Sequence, residues 1–266
     1  MIVLLLAVFV LGLYFRFPIA FSLGLSCLVY FIFSGTPMVV VPLKMYAGID
    51  VFILLSIPGF IIAGNLMNQG GLTDKIIDFC NHLLGHVRGG LSFVNISASM
   101  LFAGISGTAI SDTASLGAVM IPAMKKEGYD SDFSCAITAA SSTVGPIIPP
   151  SLPMIIAATL SGLSVGKLFL AGAIPGLLLG LGLMLVAYFV AKKKNYPKHP
   201  KSTPLQIFKS FINTFWALLM TAIILFGIIG GVFTPTEASV VAVLYVLFIG
   251  LFVYKKLNLR NISVVV

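Results

Sequence analysis

Ser141-Ser142-Thr143-Val144-Gly145-Pro146-Ile147-Ile148-Pro149-Pro150-Ser151 lies in the middle of a segment, 133–161, that is otherwise apolar enough to be a membrane helix. No continuous helix runs through it, because proline removes a backbone donor and collides with the preceding turn. Gly145 is followed by Pro146, Pro149 and Pro150, with Pro153 just beyond. The stretch therefore reads as a half-helix, an extended piece and a second half-helix whose first turn accommodates proline. Unpaired backbone at membrane depth is costly and persists only where it is buried in protein or lines a watered cavity. Broken helices of this kind point to the binding site of a transporter.

The rest of the chain supplies the membrane. Of 266 residues, 59% are hydrophobic and only 9% are charged, with a mean hydropathy of +1.10. Too little polar surface remains to coat a body in water, which excludes a soluble enzyme, a disordered chain and a disulfide-stapled domain. The net charge of +8 is no sign of nucleic acid, since the basic residues cluster between apolar blocks as cytoplasmic loops do. Cys27, Cys80 and Cys135 form no CxxC pair and read as small buried hydrophobes.

Spans are expected at 2–15, 18–34, 51–69, 168–191, 211–232 and 238–254, the third kinked at Pro58-Gly59. The periodicity predicts an amphipathic helix over 73–88, N-capped by Thr73 and lying in the interface plane, with Ile76, Ile77, Cys80, Leu83, Leu84 and Val87 on one face. Its His82 and His86 lack a third ligand and read as a solvated face. Lys192, Lys193, Lys194, Lys198, Lys201 and Lys209 read as cytoplasmic, as do Lys255, Lys256 and Arg260. Parity then places Lys125 and Lys126 and the amphipathic helix on that same side, Arg16 also inside, and the N-terminus outside. Residues 90–122 lie between two inside segments and are apolar, so they must enter and return as a helical hairpin with its tip at Gly104-Ile105-Ser106-Gly107-Thr108.

This tip is a second break, Gly104 to Asp112, G-I-S-G-T-A-I-S-D. Glycine permits the tight turn. Ser106, Thr108 and Ser111 bring hydroxyls, and the departing helix aims N–H groups at the tip, which suits an anion. Carbonyls ending the incoming helix suit a cation, and Asn95 and Ser99 add oxygen ligands if their face points inward. Asp112, the one carboxylate near membrane depth, has two readings: it lines an ion path, or it caps the departing helix. Gly104, Ser106, Gly107, Thr108, Asp112, Ser142, Thr143, Gly145, Pro149, Pro150 and Ser151 are thus the candidate site residues of the two breaks. Lone serines without a partner histidine make no hydrolase triad, and one aspartate makes no dyad, so no enzyme is expected. Thr234-Pro235-Thr236-Glu237 reads as a capping box, Gly172, Gly176 and Gly180 as a stripe for close helix packing, and Trp216 and Tyr196 as interfacial anchors.

The two breaks and their flanks resemble the large membrane subunit of TRAP (tripartite ATP-independent periplasmic) transporters. The matching stretches are FRFPIAFSLGLS, IPGFIIAGNLMNQGGLTDKIIDF, GHVRGGLSFVNISASMLFAGISGTAISDTASLGAVMIPAMKKEGY, SSTVGPIIPPSLPMI and GGVFTPTEASVVAVLY, which cover nearly the whole chain in order. The resemblance implies an all-α polytopic inner-membrane protein of bacteria, built as two inverted repeats, each with a re-entrant helical hairpin and a broken helix, in which a transport domain moves as an elevator against a scaffold. It implies a small four-helix membrane partner, a periplasmic substrate-binding protein, and sodium-driven import of organic acids such as C4-dicarboxylates or sialic acid. By the same carry-over, Ser106, Gly107, Thr108, Ser142, Thr143, Gly145 and Pro149 form the first-repeat half of the sodium and substrate site.

On that template 1–72 are scaffold helices, 73–89 an interfacial arm, 90–161 the transport-domain hairpin and broken helix, 162–210 a span with a basic cytoplasmic loop, and 211–266 the start of a second repeat. Aligning Pro18 with Pro235 pairs Ser22 with Ser239, a weak internal repeat. The family pattern calls for a second hairpin and a second broken helix, so a truncation within the second repeat is expected, and residues 1–266 alone are expected not to transport. Two other readings stand beside the importer: an inactive fragment or partner-binding membrane scaffold, and a related ion-coupled carrier that uses no binding protein.

Overall fold

The computed structural model describes residues 1–257, except the side chains of Ile105 and Ser106. Arg260 and the closing Asn261–Val266 stretch lie outside the described residues. Every regular element described is helical. Four stretches, Phe52–Gln69, Val165–Lys194, Pro204–Ile229 and Pro235–Val253, are long and apolar enough to cross a membrane. The chain is an all-α polytopic membrane protein. It divides into two compact units, Met1–Val51 and Phe52–Val266.

The first unit holds α1 (Ile2–Tyr14), α2 (Ile19–Ser34) and α3 (Val40–Ile49). At 13 and 16 residues, α1 and α2 are shorter than a perpendicular span requires. They meet where Gly12 faces Ser22, and a Cβ at residue 12 would stand 2.7 Å from the Ser22 Oγ. Outside that seam the large apolar side chains are exposed, Ile2, Phe21 and Ile32 among them, as lipid permits and water does not.

The second unit opens with a 3-10 turn, Phe52–Leu55, that runs into α4 (Ser56–Gln69). Pro58 sits in the first turn of α4, where a missing N–H costs nothing, so it imposes no kink of its own. Gly59 faces Ser239, the residue that pairs with Ser22 in the internal repeat; the same glycine-against-serine contact thus recurs in both units. α5 (Leu72–Leu84) buries Leu72, Thr73, Ile76 and Cys80. Its N-cap is Gly71, left-handed at φ 71, and not Thr73, whose hydroxyl donates instead to Asn68 Oδ1 at 2.8 Å. His86 and Arg88 follow the helix rather than belong to it.

α6 (Gly90–Ser106) and α7 (Ala109–Lys126) form a hairpin. α6 is the centre of the unit: it touches α4, α5, α7, α8, α10 and α11, and Val94, Ile96, Ala98 and Phe102 are wholly buried. Ser92, Asn95 and Ser99 are buried with them, so this core also carries polar groups that need partners. α8 (Ser131–Ser142), turns through 143–151, and α9 (Leu152–Ser161) make the broken helix. α10 (Val165–Lys194) backs both breaks, its Gly172, Gly176 and Gly180 admitting Met154, Ile148 and Met100. α11 (Pro204–Ile229) and α12 (Pro235–Phe248), the latter ending in a π turn to Val253, each open with a full capping box, at Thr203–Gln206 and Thr234–Glu237.

One short segment closes the open end of the hairpin. Gly89 N–H donates to the Pro197 carbonyl at 3.0 Å, and His199 N–H to the Gly85 carbonyl at 3.1 Å. The His199 ring meets Glu127 at 2.8 Å, and Lys194 pairs with Asp130. Tyr196 is buried, its ring tilted against Tyr129 at 4.3 Å between centroids, and it donates to Asp130 at 2.9 Å, as part of this base. Both ends of the hairpin therefore lie at one end of the unit.

Candidate functional site

The tip and the break are nested backbone to backbone. Gly107 ends α6 at φ 60 and ψ 8, left-handed. Its carbonyl accepts Leu152 N–H at 3.3 Å. A Cβ there would stand 3.0 Å from Leu152 N and 3.1 Å from the Pro150 carbonyl oxygen, so both conformation and space demand glycine. Gly145 faces the Thr108–Ala109 junction from the other side, with its Cβ position 3.7 Å from the Thr108 carbonyl carbon. Gly104 lies under the Pro149 carbonyl and against the Thr221 methyl. A cavity of about 430 Å³ opens beside them, lined by Met100, Ile148, Leu177 and Phe226 and hence apolar.

Each break restarts its helix in the same way. Thr108 and Ser151 both hold extended backbone, φ −136 and −127, and each hydroxyl accepts the N–H three residues on, from Ser111 and Met154, at 3.3 Å. Ser151 also donates to the Pro146 carbonyl at 2.7 Å. Pro149 and Pro150, joined by a cis bond, are buried beneath it. Ser106 closes α6, and its side chain lies outside the described residues.

Below the tip the polar residues are buried together. Asn95, Ser99, Asp112, Thr138, Ser141 and Ser142 have no exposed surface. Asn95 Nδ2 donates to Thr138 Oγ1 at 2.7 Å, tying the hairpin to α8. Ser99 and Ser141 share a hydrogen bond of 3.0 Å. On α8, Ser134, Thr138 and Ser142 each donate back one turn, to the carbonyls of Asp130, Ser134 and Thr138. Of the predicted residues, Thr143 does not join this cluster: it is exposed and donates to the Ala140 carbonyl at 2.7 Å. Ser134, Thr138 and Ser141 were not among the candidates, although hydroxyls at 134, 138 and 142 repeat every four residues, on one helix face.

Asp112 is the exception within this bonded cluster. Among the described residues, neither of its carboxylate oxygens has a hydrogen-bond partner, and neither does Asn95 Oδ1. The Ser99 and Ser142 hydroxyls flank the carboxylate without meeting hydrogen-bond geometry to it, and Ser142 donates to the Thr138 carbonyl at 2.9 Å. The capping reading of Asp112 falls here, because Thr108 is the cap and no N–H reaches the carboxylate. A wholly buried carboxylate without donors is a group that wants a cation, and acceptor oxygens alone are the ligands of a hard one.

Compared with known proteins, residues 6–266 match the family described as Tripartite ATP-independent periplasmic transporter, DctM component. The sialic acid TRAP transporter large permease protein SiaM of Vibrio cholerae is 45% identical over 253 residues, 94% of this chain and 59% of the relative. The sialic acid TRAP transporter permease protein SiaT of Haemophilus influenzae is 45% identical over 246 residues, 92% of this chain and 40% of the relative. The C4-dicarboxylate TRAP transporter large permease protein DctM of Pseudomonas aeruginosa is 42% identical over 241 residues, 90% of this chain and 56% of the relative. The chain thus spans 40% to 59% of the length of these relatives.

Proposed function

The chain belongs to the DctM family of tripartite ATP-independent periplasmic transporters, and from that premise we propose that it works in the large permease subunit of a sodium-coupled importer of organic acids. The substrate is of the sialic-acid or C4-dicarboxylate type carried in the names of its relatives. A periplasmic binding protein delivers it, and a small four-helix membrane subunit completes the assembly in the bacterial inner membrane. In this reading α6 and α7 re-enter from the cytoplasmic side, and they move with the broken helix as an elevator.

One observation carries the ionic half of the proposal: the buried, donorless carboxylate of Asp112. Asp112, Ser99 and Ser142 hold the sodium ion, and Asn95 Oδ1 offers another acceptor deeper in the hairpin. The backbone at Gly104, Ser106 and Gly145 adds carbonyl oxygens. The organic acid meets the other side of the nest, at Gly107 and Thr108 over a floor of Pro149, Pro150 and Ser151. Sodium next to the tip neutralises Asp112 and so lowers the cost of bringing a second carboxylate close.

The test is uptake by the complete, reconstituted transporter with its partner subunits, using a panel of carboxylates and an imposed sodium gradient. Uptake should require the binding protein and cease when the gradient is collapsed. Undiminished uptake in the absence of sodium would refute the coupling.

A further inference from the structure

The hydroxyl protons around Asp112 are ordered, and Ser141 does the ordering. Its Oγ donates to the Thr138 carbonyl at 3.0 Å. Its one proton is thereby used, so in the 3.0 Å contact with Ser99 it must accept, and Ser99 must donate. Ser142 is committed in the same direction, to the same Thr138 carbonyl at 2.9 Å. Among the described residues the Ser99, Ser141 and Ser142 hydroxyls thus have acceptors on α8, and neither carboxylate oxygen of Asp112 has a hydrogen-bond partner.

We infer that Ser141 is a positioning residue of the cation site: by drawing off the Ser99 proton it keeps Asp112 without a donor and so keeps the pocket selective for a metal cation. This deepens the sodium reading and rests on it. Without the Ser141 hydroxyl, Ser99 is free to rotate and donate to Asp112. The carboxylate is then satisfied by the protein itself, a sodium ion has to displace that bond, and one oxygen ligand presents a proton in place of a lone pair. Ser141 itself touches neither ion nor substrate. Partners that orient the ligands of a metal commonly change affinity 10- to 100-fold when removed.

The experiment uses the complete transporter in detergent, with sodium titrated against choline at constant chloride and thermal unfolding as the readout. Wild type should gain stability with sodium and not with choline. Ser141→Ala should unfold no earlier, or later, than wild type in the absence of sodium, and should need about tenfold more sodium for half of its gain. Ser141→Thr, which retains the hydroxyl, should restore the wild-type titration. If the added methyl prevents folding, Ser99→Ala/Ser141→Ala substitutes for it: with no hydroxyl left to turn, the sodium-free gain of Ser141→Ala should vanish. If Ser141→Ala instead lowers the sodium-free and sodium-saturated midpoints equally, with an unchanged half-saturation, Ser141 is merely structural and the inference fails. A wild type indifferent to sodium would strike down the sodium reading itself, a distinct result.

Discussion

The starts of α7 and α9 share one cap conformation, Thr108 at φ −136, ψ 135 and Ser151 at φ −127, ψ 128, on different sequences. Each follows a break, each has an extended hydroxyl residue as its cap, and each lies against the other through the Gly107–Leu152 hydrogen bond. Four residues beyond the cap, α9 has Ile155 and α7 has Asp112, both without exposed surface. α9 is therefore the control for α7. It shows that such a start needs no acid to be stable, and that the carboxylate in α7 has another use. The macrodipole favours negative charge in the first turn, but that alone does not lead a chain to bury a carboxylate with nothing bonded to it.

The strongest way to break this comparison is to make α9 like α7. Ile155→Asp should place a charge where no hydroxyl pocket waits, at a cost of about 3–5 kcal/mol. It should lower the unfolding midpoint steeply, and sodium should not restore it. Asp112→Asn asks the converse. It keeps the shape and removes the charge, so sodium-free stability should hold or rise. Apparent sodium affinity should fall on the order of 100-fold, because about 3 kcal/mol of buried charge interaction is just over two powers of ten. Sodium titration of uptake measures it. Gly107→Ala attacks the nest that joins the two starts. A left-handed alanine costs about 1–2 kcal/mol, and its Cβ stands 3.0 Å from Leu152 N; stability and uptake should fall together.

Thr108→Ala and Ser151→Ala should each lose about 1 kcal/mol of stability through the cap, with a further loss in Ser151→Ala from its bond to the Pro146 carbonyl, both read by thermal unfolding. The smallest effect belongs to the hairpin base. Lys194, and then Tyr196, hold the Asp130 carboxyl below its ordinary range. Its contribution is present above the usual aspartate value of about 4 and is lost as pH falls through the lowered one. In a His199→Gln background, which takes the imidazole of this segment out of the comparison, proteolysis of 195–203 should therefore be unchanged from neutral pH down to about 5 and quicken only under stronger acid.

Both breaks could be read from the sequence because glycine and proline act on the backbone itself, whatever surrounds them. The capping box at 234–237 was legible for the same local reason. Its twin at Thr203–Gln206 went unread because the lysines around it mark a loop, and charge composition does not register where a helix begins. α3 carries no expectation from the sequence, and its Pro42 falls within the first turn of the helix, where proline is tolerated. Thr73 has the chemistry of a cap, but Gly71 takes the turn by adopting a conformation closed to threonine. The hydroxyl ladder of α8 was invisible for a deeper reason. Serine and threonine inside a helix are neutral by propensity, and only the third dimension reveals that Asn95 and Ser99 arrive opposite them. The unpartnered carboxylate is a fact of packing alone, for sequence offers Asp112 a cap and a pocket on equal terms.

The segment that fastens the hairpin base has a consequence for how the protein is made. Glu127 and the histidine that binds it are 72 positions apart, which a ribosome takes roughly 4–14 s to traverse at ordinary speeds of synthesis. For that interval the hairpin lacks the fastening at its base and is held by its own two arms and by whichever neighbouring helices have already been made. Substitutions that loosen the contact between those arms should thus surface first as chains that fail to insert and are degraded, before any of them is assayed as a poor carrier.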